Sequence, residues 1–378
     1  MEYFYASVEM LAGGRRCVNA SVPLEALTAP RPRLLTARKF LAEFKPVESI
    51  IDGLSVGRGA LVAVTGATGS GKTTLCAAIQ VALRTGHRFA GREVTSGTVL
   101  AMAGENPDDY AMHLKATLQQ LGIHPDELGT GLDRSHLMVI PGVFGIGYEL
   151  DWLQEQIASV CSDVVAVFVD TSAAFYSAED ENDNVSMRRH ASMLRELTNL
   201  PGNPTVFVLC HPTKNATKDN LQPRGGGAFL AEVDVNLTVW KDDAGIVTLH
   251  HTKIRGTPFD PIRFELVPVE LEGCRDARDR PIFSVAARHL ADERAEQLVA
   301  KELADENRLM LAMARKPEGS IADWAKACGF TSGMGSPQKS RVSRMLAALV
   351  RESCVDKARG GVYRLTAKGN KELDRVRC

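Results

Sequence analysis

Short valine-rich runs alternate along the chain with longer stretches whose apolar positions recur at helical spacing. The runs are Leu61–Thr65, Thr98–Met102, Leu137–Ile140, Val164–Val169 and Thr205–Leu209. Runs this short, with little alternation, predict strands buried on both faces. The stretches between them, Lys72–Arg84, Tyr148–Cys161 and Ser186–Leu200, predict helices. Strand and helix in turn imply an α/β fold with a mostly parallel sheet and helices on both faces. After Gly225 the period changes. Val233–Trp240, Ile246–Thr252 and Ile262–Val267 predict strands joined by short turns, with Asp242–Gly245 suited to a hairpin. Antiparallel edge strands therefore extend the sheet.

The two ends read differently. Pro23, Pro30 and Pro32 break any helix early in the chain, so residues 1–43 are expected to be a lead-in segment before a core over 44–272. Residues 273–314 read as a linker, helical over Asp292–Ala314. Residues 315–378 read as helix, turn, helix, hairpin. Ser320 can cap Ile321–Cys328 and Gly329 can end it. Ser336 and Pro337 suit the start of a helix over Gln338–Arg351. Gly360 and Gly361 then turn a two-stranded hairpin, Val355–Ala358 against Val362–Leu365.

Charge separates these parts further. The whole chain carries −1, but from Asp305 to Cys378 there are 15 Lys and Arg against 8 Asp and Glu. That end carries +7 and the remainder −8, which suits either a nucleic-acid surface or a solvated charged face. The eight cysteines form no CxxC pair, which argues against a zinc site or a disulfide framework and for a reducing compartment. The chain shows no membrane span and no signal peptide at its start, so a cytoplasmic location is expected.

The strongest chemical signal is Gly66-Ala67-Thr68-Gly69-Ser70-Gly71-Lys72-Thr73, followed by Thr74. It fits G-x-x-x-x-G-K-[ST] at every position and lies between a predicted buried strand and a predicted helix. Glycines let backbone N–H groups wrap a phosphate, and the helix start adds its positive dipole end. Lys72 would neutralise the β- and γ-phosphates of ATP, and the Thr73 hydroxyl would ligate Mg2+. Asp170 closes the run Val164–Val169, where an acid can hold the metal through water. Glu105 follows Thr98–Met102 and could activate the attacking water. His211 follows Thr205–Leu209 and could sense the γ-phosphate by a hydrogen bond.

In this order, followed by the glycine-bearing stretch Arg224–Trp240 and then Lys253-Ile254-Arg255, the chain resembles RecA-like P-loop ATPases. Within that group it is most similar to hexameric replicative helicases of the plasmid RepA and DnaB types, over about Phe44–Leu271. The resemblance implies Glu105 as general base. It also implies Lys253 and Arg255 as cations reaching the γ-phosphate on a neighbouring subunit, and so a homo-oligomer, a hexameric ring. It places the loops Phe175–Val185 and Pro212–Gly226 at a central pore for single-stranded DNA. The second loop carries Lys214, Lys218 and Arg224, which could track phosphates. The first is acidic, with Glu179, Asp180, Glu181 and Asp183, and departs from a simple phosphate grip. The C-terminal segment resembles a winged helix-turn-helix, with Lys339, Arg341 and Arg344 on its second helix facing DNA. The implied activity is Mg-dependent ATP hydrolysis by a DNA helicase serving plasmid, phage or mobile-element replication. A RecA-like recombination ATPase and an ATP-gated DNA-binding regulator share the same core.

Overall fold

A computed structural model of the chain describes residues 34–130, 135–160, 163–176, 184–332, 335–358 and 362–377. The described chain divides at Pro46 into two units. In the first, Thr36 caps a helix over Ala37–Glu43, its hydroxyl accepting from the N–H of Lys39. The lead-in segment therefore contains a helix once past its prolines.

The second unit is built on a nine-stranded sheet in the order β3-β2-β4-β5-β1-β6-β7-β8-β9. Its strands are β1 (Leu61–Thr65), β2 (Thr98–Ala103), β3 (Leu137–Pro141), β4 (Val164–Asp170), β5 (Thr205–Cys210), β6 (Val235–Lys241), β7 (Ile246–Ile254), β8 (Ile262–Arg275) and β9 (Pro281–His289). From β3 to β6 all neighbours run parallel, whereas β6 to β9 form an antiparallel meander. The expected parallel sheet with an antiparallel edge is thus present. The edge runs further than the sequence suggested, because β8 continues to Arg275 and β9 lies in the stretch read as a linker. Neither extension is buried as a continuous apolar run, so neither carries the signal of the central strands.

Helices cover both faces. On one, Leu75, Ile79 and Leu83 of the helix Lys72–Thr85 pack on Val62, Val64 and Phe168. On the other, Leu153 and Ile157 of the helix Leu150–Val160, with Met187 and Leu194 of the helix Asn184–Glu196, pack on Leu61, Ala63 and Val167. This alternation along β1 puts successive side chains into different cores, and so every position of the strand is apolar or hydrogen-bonded. Phe168 is 1% exposed and stacks on Phe207 with ring centroids 4.6 Å apart. Phe168→Ala is expected to cost about 3–5 kcal/mol of stability, through lost burial and the cavity left beneath the sheet. Urea unfolding of the two proteins checks this, and a cost under about 1 kcal/mol would show that the core collapses around the gap.

Beyond the sheet, a continuous helix runs over Asp292–Arg315. The helices Ile321–Ala327, Lys339–Arg351 and Ala367–Arg377 follow it, with β10 (Val355–Lys357) and β11 (Tyr363–Leu365) paired antiparallel. Leu309, Trp324, Val342, Leu346 and Leu373 form their shared apolar cluster. Ser320 and Asp323 cap the second of these helices reciprocally. Gln338, rather than Ser336, precedes the third and makes no side-chain cap. The Gly360-Gly361 turn and the acidic residues Glu179, Asp180, Glu181 and Asp183 lie outside the described residues.

Candidate active site

The parallel strands end on one edge of the sheet, and there the chain turns from β1 into the helix Lys72–Thr85. Gly71 precedes that helix in the left-handed region, at φ 95°, and the helix start has no side-chain cap. Its first-turn N–H groups are thus left for an anion. A Cβ on Gly71 would be strained by that φ and would also lie 3.2 Å from Leu266 of β8. At Gly66 a Cβ would come 2.6 Å from the Val239 carbonyl. The loop therefore needs glycine both for its path and for its fit beneath the antiparallel edge. Among the described residues, the buried Ser70 hydroxyl has no hydrogen-bond partner. Such a group calls for a polar ligand.

Lys72 is buried, and its Nζ donates to the carbonyls of Gly66 at 2.7 Å and Ala67 at 3.1 Å. Burial lowers its pKa, against the pull of Asp170. Asp170 ends β4, and its carboxylate accepts from the Thr73 hydroxyl at 2.9 Å. Burial pushes Asp170 up to about 6; the Thr73 bond opposes this and the Glu105 charge adds to it. A hydroxyl and a carboxylate side by side, next to a phosphate loop, are the hard oxygen donors that magnesium takes. The pair fits that ion.

Glu105 sits one residue past the Gly104 N–H, which donates to the Asp170 carbonyl at 2.8 Å. Its own N–H reaches the same carbonyl at 3.2 Å. Thr171, buried and directly after Asp170, donates its hydroxyl to Glu105 Oε2 at 2.9 Å. Glu105, Lys72, Thr73, Asp170 and His211 all line one cleft of about 310 Å3. The far wall of this cleft comes from elements the sequence did not point to. Tyr110 and His113 lie on the helix Pro107–Leu121, and Leu266 and Val285 on the β8–β9 hairpin. His113 lies 3.2 Å from the Thr74 hydroxyl and 3.2 Å from the Val285 carbonyl, bridging the phosphate-loop helix to the hairpin. The arrangement can hold a triphosphate against backbone N–H groups, neutralise it with an ammonium and present a carboxylate to water.

Two expected site residues lie elsewhere. Arg255 donates to Asp234 at 2.8 Å, and the same carboxylate accepts from Arg195 at 3.2 Å and from the Leu61 N–H at 2.9 Å. Leu61 begins β1 whereas the phosphate loop follows its end, roughly 16 Å away along five residues. Lys253 shares that far edge, where its Nζ donates to the Leu230 carbonyl at 2.6 Å and caps the helix Gly226–Glu232. Neither cation reaches the cleft of its own chain.

The residues expected to meet DNA also divide. Lys214 and Lys218 are exposed on the loop after β5, on the same edge as the cleft. Arg224 is at the root of that loop, its N–H donating to the His211 carbonyl at 2.8 Å. Lys339 and Arg344 are exposed, but Arg341 turns inward to pair with Asp305 and lies 4.3 Å over the Phe330 ring. Its helical spacing suggested a DNA-facing cation; the acidic and aromatic neighbours that draw it in come from separate elements. Among the described residues, no helix is long and apolar enough to cross a membrane.

A family model described as an AAA domain matches residues 26–217, just over half of the chain. No curated protein matches it. Among solved structures, one helicase ATPase domain aligns at 11% identity and a TM-score of 0.43, over 61% of this chain and 92% of that one.

Proposed function

The chain belongs to the AAA domain family, and from that premise we propose that it is a Mg-dependent ATPase that drives a motor on DNA. The reading is a replicative helicase of the plasmid RepA kind, assembled as a homo-oligomeric ring. One observation carries the catalytic part: Lys72, the Thr73–Asp170 pair and a tethered Glu105 line a single cleft beside the phosphate loop.

In this reading, backbone N–H groups of Thr68–Thr74 and the Lys72 ammonium hold the triphosphate. Thr73 and Asp170 hold magnesium, which when bound supplies positive charge to the phosphate oxygens. Glu105 accepts a proton from the attacking water, and His211 hydrogen-bonds the γ-phosphate. Arg255 and Lys253 serve the site of a neighbouring copy, since their place at the far edge of the sheet suits contact across an interface. Lys214 and Lys218 follow a phosphate backbone. The C-terminal helices and hairpin act as a winged helix-turn-helix, with Lys339 and Arg344 presented to DNA.

Steady-state ATP turnover with and without single-stranded DNA tests the reading, with Lys72→Ala as the blank. Single strands are expected to raise turnover several-fold, and the gain should shrink as salt rises, because phosphate contacts release counterions. Turnover that ignores single strands, or responds to duplex alone, would replace the motor with an ATP-gated regulator.

A further inference from the structure

Asn236 is a polar residue in the middle of a central strand. It is 0% exposed, in β6, between β1 and β7. Asparagine is a poor strand former, and a buried amide is costly unless its hydrogen bonds are met. Here they are met, and by three different parts of the molecule. Its Oδ1 accepts from the Thr65 hydroxyl at 2.6 Å. Its Nδ2 donates to the Leu221 carbonyl at 2.9 Å and to the Thr252 hydroxyl at 2.7 Å.

The partners matter more than their number. Thr65 is the last residue of β1, immediately before Gly66, and is itself 0% exposed. The Gly66 carbonyl is one of the two that Lys72 holds. Leu221, 1% exposed, is a buried anchor of the mostly exposed stretch that carries Lys214 and Lys218. The amide thus spans from the root of the phosphate loop to that stretch through two buried hydrogen bonds. When a triphosphate takes up the Lys72 ammonium, the bonds to Gly66 and Ala67 are exchanged for bonds to phosphate, and the backbone beside Thr65 is the first to feel it. Buried polar bonds inside a packed sheet transmit such a shift, because a close-packed interior yields little.

We propose that Asn236 is a positioning residue that couples nucleotide occupancy of the phosphate loop to the loop 212–224, through Thr65 on one side and Leu221 on the other. Its meaning for DNA rests on the reading that this loop faces DNA; the coupling itself does not.

Amide hydrogen exchange of the segment 212–224, in the full chain with and without magnesium and the non-hydrolysable analogue AMP-PNP, tests the proposal without DNA. In the unaltered protein AMP-PNP is expected to change exchange in this segment at least about threefold. Thr65→Val keeps the shape of the side chain and removes the hydroxyl, and should abolish the response while AMP-PNP still binds. Thr65→Ser should restore it. Thr252→Val, which cuts the third bond and leaves the Thr65–Asn236–Leu221 path intact, should keep it. A purely structural amide would loosen the segment in both valine variants and leave the nucleotide response alone. The proposal is overturned by a full response in Thr65→Val, by no response in the unaltered protein, or by equal loss in Thr252→Val. Loss of AMP-PNP binding in Thr65→Val would also overturn it, since Thr65 would then act on the nucleotide itself. A failure of single strands to stimulate turnover would sink the DNA reading and leave these outcomes untouched.

Discussion

Lys72→Ala is expected to lower ATP turnover by about two to three orders of magnitude, the loss seen when one preorganised charge donor is taken from a transition state. The reason is local. Lys72 is 7% exposed and stands over the loop, with only the Gly66 and Ala67 carbonyls as its hydrogen-bond acceptors. Those two neutral acceptors give it up readily to a phosphate, because an ion pair in a water-poor cleft is stronger. Without the ammonium, charge developing on the γ-phosphate has no buried cation from its own chain, and nucleotide affinity falls as well. Lys72→Arg should do little better. The planar guanidinium needs more room than a point charge, and the space beneath is closed by Gly66 and Ala67. Single-turnover hydrolysis with saturating nucleotide separates the rate from the affinity. Turnover within tenfold of the unaltered protein would mean that this loop is not the reacting site.

What the sequence disclosed depends on how local the chemistry is. The phosphate loop is contiguous, because wrapping one anion takes neighbouring N–H groups, and its residues were legible at once. The central strands were legible because burial on both faces leaves an unbroken apolar run. Strand β9 was not: only Ala286 within it is fully buried, and its remaining positions follow neither period. Groups brought together by topology left no trace along the chain. Thr171 beside Glu105 joins positions 66 residues apart, and Asn236 beside Thr65 joins positions 171 apart. Asp234 is of the same kind. It draws Arg195, Arg255 and the start of β1 onto one carboxylate, yet in the sequence it is one acid in an apolar run. Arg341 shows the opposite error, in which a helical face rich in cations suggests solvent while the fold supplies Asp305 and Phe330 to take one of them inward.

Glu105→Gln is expected to slow turnover by about two to four orders of magnitude, the usual range for a lost general base, while nucleotide binding changes little. This split would set it apart from Lys72→Ala, which loses both. The geometry supports the difference. Glu105 touches no phosphate-loop residue in hydrogen-bond range; its ties are the Thr171 hydroxyl and, through the backbone, the Asp170 carbonyl. Glutamine keeps the shape, and its carbonyl can still accept from Thr171, so the side chain should stay in place and lose only its ability to take a proton. Fluorescent-nucleotide titration gives the affinity, and single-turnover hydrolysis gives the rate. Equal losses in both would mean that Glu105 grips the nucleotide or its metal. A rate unchanged in the glutamine variant would move the base elsewhere in the cleft, and Asp170, raised to about 6 by burial and also facing the cleft, would be the acid to substitute next.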